Sequence, residues 1–298
     1  MRLSIIPKRK IWFGISFLLV GLSVVFLIIW GLNFGIDFTG GSSLSVKFSR
    51  QSPEVGEVKK ELADLDLGSL VVQPAQGNEL MLRFANTSEE THQTVLKELK
   101  KFDKEEYGNM KEMSFNSVGP SIGQTLKRKS FYATVLVILA IIVYIAWAFR
   151  KVSKPIASWK YGITAVITLL HDCLIVLGIF SLLGHFYGME INSAFIAAIL
   201  TVLGYSVNDT IVVFDRIREN LPQSEEDFAG TINTSINQNI IRSINTSLTT
   251  MLVLLAIILW GGASIQDFAL ALLIGAFIGT YSSIFLASPL LVFWEKKV

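Results

Sequence analysis

Six stretches of this chain are apolar for about 20 residues each, long enough at 1.5 Å per helical residue to cross a ~30 Å hydrocarbon core. They cover residues 11–31, 131–149, 161–184, 193–214, 244–261 and 268–293. No other feature restricts the fold as much, because in hydrocarbon every backbone N–H and C=O must be satisfied within the protein, and runs of this length do so as helices. The composition agrees: 17% of residues are charged, against about 25% in soluble domains. A cytosolic globular protein is excluded. The first run follows Lys8, Arg9 and Lys10; it is too long for the apolar core of a signal peptide and lacks a small-residue cleavage site, so it reads as a retained span.

The basic residues set an expected orientation. Arg2, Lys8, Arg9 and Lys10 precede the first span; Arg150, Lys151, Lys154 and Lys160 separate the second from the third; Arg216 and Arg218 follow the fourth; Lys296 and Lys297 follow the sixth. The connections between spans three and four and between five and six carry neither Lys nor Arg. Both termini are therefore expected in the cytoplasm. The net charge of +2 is too small to suggest a nucleic-acid partner. Cys173 is the single cysteine and lies inside an apolar run, so no internal disulfide framework or cysteine-rich metal site can form.

The expected organisation is a cytoplasmic N-terminus with the first span (1–31), an extracytoplasmic domain (32–126), and spans two to six with a cytoplasmic C-terminus (127–298). Acidic residues outnumber basic ones 14 to 10 over 32–124, the composition of a folded aqueous module. Its pattern predicts strand 43–48, helix 53–65, strand 70–74, strand 79–84, helix 88–102 and strand 113–118. The order βαββαβ is the split βαβ of ferredoxin-like domains. Ser88, Glu90 and His92 mark a helix start, with Val95, Leu96, Leu99 and Phe102 as its apolar stripe.

Ionisable groups at membrane depth are costly and mark the candidate site. In the third span Thr164, Thr168, His171 and Asp172 share a helical face; in the fourth, Thr201, Tyr205, Asn208 and Asp209 repeat that spacing; in the fifth, Arg242, Asn245, Thr246 and Thr249 do so again. Antiparallel spans bring Asp209 and Arg242 to similar depth. The pair reads either as a fixed ion pair or as a carboxylate that exchanges protons beside a guanidinium. His171 and Asp172 are adjacent and point about 100° apart, so one of them lines the centre. Ala271, Gly275, Gly279, Ser283 and Ala287 place a small residue at every fourth position of the last span, a ridge for close helix packing against an internal helix or a second subunit. No phosphate-binding loop, nucleophile elbow, His-Glu-x-x-His pair or cysteine cluster occurs. No cofactor, metal or enzymatic activity is expected, and any work the chain performs draws on an ion gradient or another subunit.

Several motifs are similar to those of the SecD/SecF family of protein-export membrane proteins, on its SecF side. They are the segment 35–41 (GIDFTGG, with Gly35, Asp37, Gly40 and Gly41), the segment 118–123 (VGPSIG), His171-Asp172, the segment 204–220 with Gly204 and Asp215, then Arg242, the segment 246–250 and Gly261-Gly262. The resemblance implies half of a resistance-nodulation-division (RND) type transporter bundle, paired with a SecD-like six-span chain in a bacterial plasma membrane. It implies use of the proton motive force to assist preproteins through the SecYEG channel, with YajC as a further associated component. The family's proton-pathway residues fall on Asp209 and Arg242, and Asn208, Asp172 and His171 complete the candidate pathway. The alternative within the fold is a proton-driven exporter of small molecules or lipids, although such exporters usually carry two six-span halves in one chain. An intramembrane aspartyl protease would need Gly-x-Gly-Asp where this chain reads Ser-Val-Asn-Asp (206–209).

Overall fold

A computed structural model describes residues 3–75, 77–85, 88–148 and 156–295. Arg2, Phe149, Arg150, Lys151, Lys154, Lys296 and Lys297, used above for span ends and orientation, lie outside the described residues. In chain order the elements are α1 (Arg9–Ile29), α2 (Ile36–Thr39), β1 (Gly41–Phe48), α3 (Val55–Glu61), β2 (Leu70–Ala75), β3 (Glu79–Phe84), α4 (Glu89–Leu99), β4 (Met110–Val118), α5 (Pro120–Ala148), α6 (Ser158–Tyr187), α7 (Ser193–Asn220), α8 (Phe228–Trp260), α9 (Ala263–Ser282) and α10 (Ser288–Phe293). A short 3-10 turn, Lys100–Phe102, prolongs α4, and a π-turn, Ser283–Ala287, joins α9 to α10. The chain divides into two compact units, residues 34–131 and the remainder.

The smaller unit is built on strict alternation. Leu44, Val46 and Phe48 of β1 and Leu80, Leu82 and Phe84 of β3 point to one face of the sheet, where Val58, Leu62, Val95, Leu96 and Leu99 of the two helices cover them. The strand order is β2-β3-β1-β4 with every neighbouring pair antiparallel, and Leu44 faces Leu82 on one side and Phe115 on the other. Strand β3 therefore lies between β1 and β2, which is the split βαβ topology. The strands begin earlier than the sequence pattern indicates, β1 at Gly41 and β4 at Met110, and their pairing shifts register between Ser45 and Val46, where β4 carries one extra residue. The first helix is shorter than expected, Val55–Glu61.

The glycine-rich segment has a steric explanation. Gly40 and Gly41 adopt φ values of +77° and +119°, and a Cβ on Gly40 would come within 2.9 Å of Pro120 Cα. A Cβ on Gly41 would come within 2.8 Å of the Phe84 carbonyl oxygen. The segment 35–41 is thus pressed against the start of α5, where Gly123 faces the Phe38 carbonyl; the two motifs are one packing arrangement.

Among the described residues, six helices are long and apolar enough to span a membrane: α1, α5, α6, α7, α8 and the last, Ile265–Phe293. The protein is a multi-pass membrane protein. All six tryptophans fall near span ends: Trp12, Trp147, Trp159 and Trp294 at one end, Trp30 and Trp260 at the other. Amphipathic indoles favour the headgroup level. Helix α8 begins at Phe228, well before its apolar run, with Asp227 accepting from the Gly230 N–H as its cap. That polar first half holds residues 3–6. Asn233 Oδ1 accepts from the Ile5 and Ile6 N–H groups, Asn237 Oδ1 accepts from the Leu3 N–H, and both amides donate to the Leu3 carbonyl. Ile5 and Ile6 are buried as a result.

Candidate functional site

The small-residue ridge of α9 packs inside the chain, on α7. A Cβ on Gly275 would lie 2.1 Å from Val202 Cγ2, and one on Gly279 would lie 3.1 Å from Ser206 Cβ. This close approach brings the polar groups of α6, α7 and the last span together. Ala271, Ser283 and Ala287 are buried in the same contact region.

Asp172 is fully buried. Its Oδ1 lies 2.8 Å from His171 Nδ1, and its Oδ2 accepts from Ser206 Oγ at 2.5 Å and from Ser282 Oγ at 2.8 Å. Three spans thus meet on one carboxylate, roughly 20 Å along α6 from Trp159 at 1.5 Å per residue. His171 is also buried; its Nε2 has no hydrogen-bond partner, and its ring lies beside Tyr281, whose hydroxyl donates to the Trp12 carbonyl. Both members of the dyad therefore face the interior. The other polar residues of that stripe bind locally: Thr164 accepts from Trp294 Nε1, and Thr168 donates to the Thr164 carbonyl.

Asp209 lies nearer the end of the bundle marked by Trp159 and Trp294. Its Oδ1 accepts from Ser243 Oγ of α8 at 2.7 Å, and its Oδ2 is buried without a hydrogen-bond partner. Arg242 is adjacent in sequence to Ser243, so the matched depth expected from antiparallel spans is present. The expected contact is not: Arg242 points out of the bundle, and among the described residues no ion pair joins it to Asp209. The inward stripe of α8 is Ser235, Ser243 and Ser247. Asn245, Thr246 and Thr249 face outward beside Arg242, as Thr201, Gly204 and Asn208 do on α7. Tyr205 turns inward and donates to Ser247 Oγ, which also accepts from Thr280. Asp215 forms a surface ion pair with Arg218 at 2.7 Å, worth little at an exposed site.

The buried hydroxyls of this polar centre that the sequence does not single out are Ser206, Ser243, Ser247 and Ser282, while Ser283, expected as a packing residue of the ridge, also pairs with Thr210. The signal available was the placement of Ser235, Ser243 and Ser247 at intervals of eight and four residues, multiples of the spacing used for the threonines. Asp37, Gly35, Gly40 and Gly41 belong to the smaller unit. Among the described residues no group of His, Cys, Asp and Glu could hold a metal ion.

Comparison with known proteins agrees with this architecture. The family model described as "Protein export membrane protein SecD/SecF, C-terminal" matches residues 97–297, and the "SecD/SecF GG Motif" matches residues 25–51. The protein translocase subunit SecF of Thermobaculum terrenum is 42% identical over 306 residues, covering 99% of this chain and 95% of that one. The subunit of the same name from Anaerolinea thermophila is 39% identical over 99% of this chain and 94% of its own. The crystal structure of SecDF, a translocon-associated membrane protein from Thermus thermophilus, matches with a TM-score of 0.85 at 33% identity over 99% of this chain. SecDF in its super-membrane-facing form matches with a TM-score of 0.69 at 34% identity. This chain spans 39% of the length of each of those two solved chains. With both motifs, the six spans and the inserted split βαβ domain in agreement, the chain belongs to the SecD/SecF family of protein-export membrane proteins, on its SecF branch.

Proposed function

We propose that this chain is the SecF-type half of a SecD/SecF complex that uses the proton motive force to assist preprotein movement through SecYEG across a bacterial plasma membrane. In this reading both termini are cytoplasmic, the domain within 32–126 is extracytoplasmic, and the chain is a transport subunit with no catalysis of its own. YajC is a further associated component, and the moving preprotein is the cargo of the assembly. Asp209 exchanges protons during the cycle, Arg242 and Asn208 line the route from the outward face, and Asp172 with His171 forms the inner part of the pathway.

The observation that carries the reading is the half-satisfied carboxylate of Asp209. One oxygen is held by Ser243, the other is buried and open, so a proton can arrive or leave without breaking an existing bond. Arg242 lies one residue before Ser243 on the same helix, where a modest rotation of α8 changes its distance from the carboxylate. The outward face of α7 and α8 supports the partnership. A row of Thr201, Asn208, Arg242, Asn245, Thr246 and Thr249 exposed at membrane depth is a poor surface for lipid and a good one for a second polar span.

The test is Asp209→Asn, which keeps size and hydrogen bonding and removes titration. Preprotein translocation in vesicles, with and without a proton gradient, should lose its gradient-dependent increment while the complex still assembles. A full increment would make Asp209 structural. Orientation is tested separately with Cys173 replaced by Ala and a cysteine at exposed Lys59 of α3, which an impermeant reagent should reach from the outer face. Ser88 is less suitable because its hydroxyl caps α4 by accepting from the Thr91 N–H. Labelling of Lys59→Cys only after membrane disruption would reverse the topology.

A further inference from the structure

Two buried carboxylates on different spans approach two neighbouring hydroxyls on a third. Ser282 Oγ donates to Asp172 Oδ2 at 2.8 Å. Ser283 Oγ pairs with Thr210 Oγ1 at 3.0 Å, and Thr210 is next in sequence to Asp209, whose Oδ2 is buried without a hydrogen-bond partner among the described residues. Both serines are fully buried. We propose that Ser282 and Ser283 are positioning residues that link the charge state of Asp172 to that of Asp209. This inference rests on the reading of Asp209 as a proton-exchanging group.

The link follows from a shared acceptor. Ser282 Oγ reaches a second acceptor besides Asp172, the Gly279 carbonyl at 3.1 Å, and Ser283 Oγ donates to that same carbonyl at 2.7 Å. The Ser283 backbone N–H points to it as well. An ionised Asp172 accepts the hydrogen bond of the Ser282 hydroxyl, which leaves Gly279 O to Ser283. A protonated Asp172 carries its own O–H and needs an acceptor, which the Ser282 oxygen becomes when its hydroxyl turns to Gly279 O. A carbonyl with two lone pairs does not hold three donors well. The Ser283 hydroxyl is then displaced toward Thr210 or the open oxygen of Asp209. No proton passes between the carboxylates in this scheme; each hydroxyl keeps its own and changes direction.

The backbone favours such a change. Pro289 lacks an N–H and its ring crowds the carbonyl four residues back; the helix widens to a π-turn over Ser283–Ala287 just before it, and Ser288 Oγ donates to the Ser283 carbonyl at 3.2 Å. Interruptions of this kind loosen the hydrogen-bond ladder where a side chain must adjust. The titratable neighbours of Asp172 are His171 and Cys173 from its own span, with Tyr281 of the last span beside His171; the fourth span presents the Ser206 hydroxyl. Asp209 meets Ser243 from the fifth span and Ser283 from the last, with Arg242 next to Ser243.

The experiment is infrared difference spectroscopy of carboxyl groups on the purified complex with its SecD-like partner, titrated with pH, with the Asp209 band assigned by its loss in Asp209→Asn. Asp172→Asn should move the Asp209 midpoint by roughly half a pH unit or more, the scale of coupling within one hydrogen-bond network. In a Ser282→Ala/Ser283→Ala background, Asp172→Asn should no longer move it. Ser283→Thr, which keeps the hydroxyl, should retain the dependence. A titrating Asp209 band that ignores Asp172, or that responds equally with and without the two serines, overturns the link alone. A spectrum in which no Asp209 band titrates overturns the reading of Asp209, and the link with it.

Discussion

At Gly178 the third span touches the first so closely that a Cβ would lie 2.3 Å from Ser23 Cβ and 2.5 Å from Ser23 Cα. Backbone, rather than the end of a flexible side chain, stands in the way, so the helices themselves would have to separate. Gly178→Leu should therefore lower the melting temperature of the detergent-solubilised chain, with an overpacking cost of about 1–3 kcal/mol or more, measured by thermal unfolding against the parent. An unchanged melting temperature would mean that α1 can slide on α6. Nothing in the sequence singles out this glycine, because its partner Ser23 is an ordinary polar residue inside a span until the contact is seen. The candidate carboxylates were legible, since a lone Asp in an apolar run is conspicuous. Their immediate partners were not: serine hydroxyls are cheap to place in a helix by bonding back to its own carbonyls, so Ser243 or Ser282 carries no sign of which one reaches a carboxylate. Arg242 shows a complementary limit: antiparallel spacing gives its depth beside Asp209 but not the direction of its side chain, which is outward.

Element by element, the sequence was most informative where one periodicity ran unbroken. The six spans and the βαββαβ order follow from runs of 20 apolar residues and from clean alternation, as in Leu80, Leu82 and Phe84 of β3. Element ends were less legible. Strand β4 is exposed along most of its length, so its first residues lack the apolar mark that would announce them. The first half of α8 was invisible for a related reason: Asn233, Asn237 and Asn239 are poor helix formers, and with Gln238 their amides bond to residues 3–6, the α7 carbonyl of Val212 and neighbouring side chains rather than to a core. The π-turn of the last span belongs to the same class. Pro289 announces a disturbed ladder, yet only the three-dimensional packing places its slack beside Asp172 and Asp209.

For the whole molecule, the outward polar row is the feature that a single bundle leaves unexplained. Gly204 lies on it with open space where a Cβ would stand, so it separates the fold of this chain from its assembly. Gly204→Leu should leave the thermal stability of the isolated chain unchanged while reducing co-purification with the SecD-like partner. Loss of stability in the isolated chain, or undiminished co-purification, would place the partner on another face. A second consequence concerns manufacture rather than mechanism. Residues 3–6 are clasped by Asn233 and Asn237, which leave the ribosome only after four spans have been made. Throughout that interval Ile5 and Ile6 lack the cover that α8 supplies, and the first span lacks its anchor to the fifth. A nascent chain halted before α8 therefore leaves residues 3–6 unclasped and the bundle open at that edge.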